Sequence, residues 1–160
     1  MPIFVFLIFA VLFLISCSVQ PADIHDKPYH THVDFKVYVD DKPLDFSGMM
    51  YQVRSQEVHV EDNIGDVVHV HKKGITLGYF LGTLGLDMND TCITVPVQGT
   101  FCNEQGNNVS FYVNGQEKHD FKNYVMQGYD KILLSYGNGS IDLQLDSITD
   151  HASMMSMENE

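Results

Sequence analysis

Two short runs in this chain place imidazoles at alternate positions: His30-Thr31-His32 and His69-Val70-His71. A further histidine, His59, lies in Glu57-Val58-His59-Val60. Side chains on a strand switch faces at every residue, so an i, i+2 pair projects to one side. In all three runs the apolar residues hold the other phase: Val33 and Phe35, Val58 and Val60, Val68 and Val70. The histidines therefore belong to the polar face or the edge of a sheet. Neutral imidazole is a ligand for zinc and for copper, and zinc accepts four ligands in a tetrahedron. If the strands are neighbours, His30, His32, His69 and His71 are candidate ligands for one transition-metal ion, with His59 as a further member. Asp34, on the same face as His32, is a candidate carboxylate ligand or a group that orients an imidazole. A plainer reading stands beside this one: a polar face with no metal, solvated or in contact with a protein or glycan partner. His25 and His119 fall in a linker and a turn and read as surface residues.

The elements that must position these rings follow from periodicity. Val33-Asp34-Phe35-Lys36-Val37-Tyr38-Val39 alternates as a half-buried strand, and Asp66 to His71 is a second. Leu44 to Phe46, Met49 to Val53 and Glu57 to Val60 read as further short strands. After a turn at Gly74, the apolar residues Ile75, Leu77, Phe80, Leu81 and Leu84 recur with helical spacing, and Gly85 suits the left-handed stop after the last turn. Gly78 and Gly82 inside the helix imply close packing on the sheet. Asp87 to Asp90 reads as a loop. Val109 to Val113 is a strand followed by Asn114-Gly115, a strong hairpin signal. Lys131 to Tyr136 is a buried last strand. Ser140 caps a short helix with Ile141, Leu145 and Ile148 on one side. Strands, one central helix, then strands is the order of an α+β chain of β-grasp (ubiquitin-like) type: a mixed sheet packed on one helix, its other face free.

The ends of the chain carry their own signals. Ile3 to Ile15 is an unbroken apolar run, too short for a confident membrane span and suited to an export signal. Leu14-Ile15-Ser16-Cys17 follows and resembles the lipobox of bacterial and some archaeal lipoproteins, which implies cleavage before Cys17 and lipidation of it. No Lys or Arg precedes the run. The organisation expected is an export signal with lipobox over residues 1–17, a Pro-containing linker over 18–29, the domain over 30–150, and a flexible methionine-rich tail over 151–160. In that tail, His151 with Met154, Met155 and Met157 offers soft thioethers of the kind Cu(I) prefers. An exported protein tethered to the outer face of the cytoplasmic membrane, or extracellular, follows, with an envelope protein as a possible partner.

The chain has 160 residues, 9 Lys and Arg against 21 Asp and Glu, and a formal net charge of -12. That balance excludes a nucleic-acid partner, which requires a basic footprint. It suits a protein that attracts cations. Cys92 and Cys102 lie at equal distances from a turn near Val97, on two strands, and export permits a disulfide between them. Catalytic thiols usually come as Cys-x-x-Cys beside a helix start, which is missing here, so a thiol–disulfide enzyme is the weaker reading. Three Asn-x-Ser/Thr triplets begin at Asn89, Asn108 and Asn138 and agree with export. Nucleophile elbows, His-Glu-x-x-His motifs and isolated carboxylate pairs are missing, and the chain does not read as an enzyme.

Two broader resemblances are carried by the second half. Phe111-Tyr112-Val113-Asn114-Gly115, Asn123-Tyr124-Val125 and Gly128-Tyr129-Asp130-Lys131-Ile132 are similar to the closing region of the ubiquitin-like domains at the C-terminus of transcobalamin-type proteins, with Tyr129 inserted. That resemblance implies a binding module. The region from His30 to Tyr136 also resembles a group of small exported archaeal proteins of unassigned role, some of which carry a protein disulfide isomerase label.

Overall fold

The computed structural model describes residues 29–157, with the backbone alone at 156 and 157. The expected export signal, Cys17 and most of the linker lie outside the described residues. Among the described residues no helix is long and apolar enough to cross a membrane.

The chain is α+β with a mixed sheet. In order it forms β1 (Thr31–Val39), β2 (Lys42–Pro43), β3 (Val58–His59), β4 (Val67–Val70), α1 (Leu77–Thr83), β5 (Asp87–Met88), β6 (Cys92–Val95), β7 (Gly99–Cys102), β8 (Asn108–Val113), β9 (Gln116–Lys118), a 3-10 turn at Phe121–Asn123, β10 (Lys131–Gly137), α2 (Ile141–Asp146) and α3 (His151–Met157). The main sheet runs β3-β4-β1-β10-β8-β9, with β2 paired to the end of β1. β1 and β10 are parallel, and the remaining pairs are antiparallel. β5, β6 and β7 form a separate three-stranded sheet.

Alternation sets the two faces of β1. Val33, Phe35, Val37 and Val39 join Val58, Val68, Val70, Ile132 and Leu134 in one apolar core with Leu77, Phe80 and Leu81 of α1. Phe80 stands edge-on to Phe35, with ring centroids 5.0 Å apart. Burial of each such side chain contributes about 1.5–3 kcal/mol. Thr76 starts α1 by accepting from the Tyr79 amide, and Gly85 follows it at φ 80°. The hairpin at Asn114-Gly115 also forms as its sequence directs, with both residues at positive φ.

The opposite face is not free. Tyr38 and Leu133 there pack with Ile148, and Ile141 and Leu145 add to the cluster. Ser140 caps α2 as expected, and α2 carries part of this cover. The segment expected to be a flexible tail is instead helical through Met157, and Ala152 of α3 is fully buried. An apolar residue such as Val67, buried on the same side of β4 as His69, demands a covering element.

Three local expectations change. Met49 to Val53 forms turns, with Gln52 bridged to Val60, because Val53 takes a left-handed φ of 48°. Leu44 to Phe46 leaves the ladder after Pro43, and Phe46 turns into the core. Asp87 and Met88 pair with β6 where a loop was expected. Gly78 is required by a close approach, but to the 3-10 turn: a Cβ there would lie 2.8 Å from the Lys122 carbonyl oxygen. At Gly82 a Cβ would meet open space.

Cys92 and Cys102 face each other directly across β6 and β7 and are bonded, with Cα atoms 4.0 Å apart. The Cys92 amide and carbonyl pair with Asn89, not with Cys102, so the bridge occupies a non-hydrogen-bonded site, where opposed residues come closest.

Candidate metal centre

Pairing of β4 with β1 sets His32 directly opposite His69, and pairing of β3 with β4 sets His59 opposite the same His69. Three strands thus carry a row of imidazoles, His32, His69 and His59, on the face away from α1. The same register carried one step outward brings His30 beside His71, with rings stacked at 4.5 Å and 15°. The two rows touch: His30 lies 4.6 Å from His32 and 5.7 Å from His69 between ring centroids, and His59 lies 4.9 Å from His71.

The inner row is buried. His32 is 4 % exposed, and His59 and His69 are 6 % exposed, while His30 and His71 reach solvent. Candidate ligand atoms of His30, His32 and His69 all lie within 4.8 Å of one another. A tetrahedral ion with metal–nitrogen distances of about 2.0 Å needs its ligand atoms about 3.3 Å apart. This group can hold a metal ion. The exposed His71 stands next to it.

The hydrogen bonds of the row are uneven. His59 donates from Nδ1 to the Ser55 carbonyl at 2.7 Å, and its Nε2 is 3.1 Å from Glu61 Oε2. Nδ1 of His69 is 3.3 Å from the other Glu61 oxygen but forms no hydrogen bond, and Nδ1 of His32 has no partner. Each buried polar atom left in this state costs about 1–3 kcal/mol. A bound cation would remove that cost by accepting the lone pair.

Protonation is also opposed. Burial pushes the His69 imidazole down to about 4; Glu61 pulls it back up, and His32, His30 and His59 push it further down. Burial lowers His32 as well, aided by His30 and His71 against Glu61. His71 is lowered by burial and then by His30 and His59. At neutral pH these rings are neutral, the form that coordinates a metal.

Asp34 is engaged elsewhere and is not grouped with the three converging imidazoles. Although it shares a face with His32, its carboxylate accepts from Thr149 Oγ1 at 2.7 Å and from the Ala152 amide at 3.2 Å. It fastens the start of α3. Burial raises its pKa, and the bonds from Thr149 and Ala152 oppose that shift. His151 lies 3.7 Å from Asp66, apart from the imidazole group. A cleft of about 390 Å³, lined by Phe35, Lys36, Asp45, Ile64, Asp66 and His151 among others, shares no residue with that group. Its lining brings together no ligand set, so the chemistry rests on the imidazoles.

Glu61 is the residue sequence reading missed. A signal for it existed: His59-Val60-Glu61 has the same i, i+2 spacing as the two histidine doublets, which puts Glu61 on the His59 side. Family models, curated proteins and solved structures yield no match to this chain.

Proposed function

We propose that this protein is an exported, membrane-tethered binder of a transition-metal ion, zinc or copper, and that it captures, buffers or delivers the ion without catalysing a reaction. His30, His32 and His69 are its ligands, with the exposed His71 ring completing the set. The observation that carries this reading is the convergence of His30, His32 and His69 combined with two buried ring nitrogens, on His32 and His69, that find no hydrogen bond in the protein. An all-imidazole donor set suits borderline ions and disfavours magnesium or calcium, which take oxygen. Export is supported by the apolar run ending in Leu14-Ile15-Ser16-Cys17 and by the Cys92–Cys102 bridge, which persists in oxidising compartments. A β-grasp relationship is supported by the strand order β4-β1-β10-β8-β9 around the parallel pair β1–β10, with α1 against one face.

The deciding experiment is elemental analysis and calorimetric titration of the chelator-stripped protein with Zn(II) and Cu(II), for the wild type and a His32→Ala, His69→Ala variant. Specific binding that disappears in the variant supports the reading; equal binding by both overturns it. Fractionation of cells that express Cys17→Ser tests the tether, since release from the membrane is expected.

A second reading has its own observation. Met49 and Met50 are 88 % and 64 % exposed and Val53 is 58 % exposed, an apolar turn suited to docking an envelope protein. Wild-type protein that binds neither ion would favour it.

A further inference from the structure

His59 and Glu61 make a contact that a singly protonated imidazole and an ionised carboxylate do not sustain by themselves: a second proton or a bound cation must lie between them. The Ser55 carbonyl oxygen only accepts, so the proton on His59 sits at Nδ1. A neutral ring then presents a lone pair from Nε2, and 3.1 Å away stands Glu61 Oε2, an oxygen of a carboxylate that also only accepts. Two acceptors facing each other repel unless positive charge lies between them. The other oxygen of the same carboxylate is 3.3 Å from His69 Nδ1, which is buried and has no hydrogen bond. The nearby Lys72 does not supply the charge, because it is bound to Glu57.

We infer that a second metal ion sits between His59 Nε2 and Glu61, beside the His30/His32/His69 centre, and that the Glu61 carboxylate spans the two ions. A carboxylate whose two oxygens face two imidazoles on adjacent strands has the form of a bridge in a two-metal site, where ions lie roughly 3.5–4 Å apart. The excess of acidic residues over Lys and Arg, a net charge of -12, favours accumulation of a second cation. This inference takes from the function proposed above only the class of ion, and its ligands are different residues.

The test is a count of ions. The full chain, stripped with chelator, is titrated with Zn(II), and bound ions are counted by native mass spectrometry and by elemental analysis after gel filtration. The wild type should hold two. Glu61→Gln, which keeps the side-chain shape at a partly exposed position, should hold one tightly, with the second weakened roughly 10–100-fold or lost. His59→Gln should do the same, and circular dichroism of both variants reports whether the fold survives. His30→Ala, His32→Ala should keep the ion at His59 and Glu61. A wild type that binds one ion, unaffected by Glu61→Gln and lost in His32→Ala, His69→Ala, overturns the second position and leaves the first. One ion that depends on Glu61 and survives His30→Ala, His32→Ala supports the second position and overturns the first. A wild type that binds none overturns both, and a proton then fills the gap between His59 and Glu61.

Discussion

Asp34 and His32 lie on one strand, on one face, two residues apart, and both are almost fully buried. Their surroundings differ completely. Asp34 is met by the Thr149 hydroxyl and the Ala152 amide, so its burial is compensated and it serves to hold α3. His32 is met by other imidazoles, and its Nδ1 is left without a partner. A fold that only needed stability would not retain such a group, because an apolar residue of similar size would cost less. The contrast separates a buried polar group whose hydrogen bonds build the structure from one that leaves a ring nitrogen open in a group able to hold a metal ion.

The largest effect should come from Asp34. Asp34→Ala removes the acceptor for Thr149 and Ala152 and should destabilise the protein by about 2–4 kcal/mol. Hydrogen exchange should show α3 opening first, while Zn(II) affinity falls less than about tenfold. If affinity collapses with α3 still docked, the division between the two positions is wrong. The opposite substitution sharpens it. His32→Leu should leave the metal-free protein as stable as the wild type or about 1–3 kcal/mol more stable in urea, because an unpartnered buried atom disappears. It should also abolish tight Zn(II) binding. A loss of stability would mean that His32 is structural after all.

Acid should read the two positions with opposite signs. The folded state holds His69 near 4 and also lowers His32, against an ordinary value of 6.5. The unfolded chain therefore takes up protons that the folded chain refuses, and the metal-free protein should lose stability as pH falls from about 6.5 toward 4. Asp34 is raised above its ordinary 3.8, so its contribution is full below that value and is lost as pH rises through the folded pKa. Urea melts across this range should slope upward with pH in the wild type, flatten in His32→Leu, His69→Leu, and steepen in Asp34→Asn. An unchanged slope in the histidine variant would sink the assignment.

The smallest effect on the comparison should come from the hairpin. Cys92→Ser, Cys102→Ser opens a loop whose closure contributes about 2–3 kcal/mol, and it should lower the melting temperature. Zn(II) affinity should be unchanged, because neither cysteine touches the imidazole group. A parallel loss of binding would show that affinity merely tracks stability.

Much of this was legible from local pattern. The phase of Val33, Phe35 and Val37 told which way His32 points, because strand alternation is a property of the backbone alone. Asn114-Gly115 and Gly85 marked a turn and a helix end through the conformations those residues favour. The same rule would have found Glu61, two residues after His59. The partners of Asp34 were not legible, because phase reports the face and says nothing of what covers it. Those partners, Thr149 and Ala152, are more than a hundred residues away along the chain.

The sequence by itself determined which side chains share a side of each strand, where the chain turns, and that Cys92 and Cys102 can meet. Those outcomes depend on interactions over a few residues. The tertiary structure decided that β4 lies beside β1 in the register that opposes His32 to His69, that β3 brings His59 and Glu61 to the same place, and that α3 occupies Asp34. The physical reason is that strand adjacency and helix docking are chosen by burial of the whole apolar surface, a sum over distant residues that no local pattern contains.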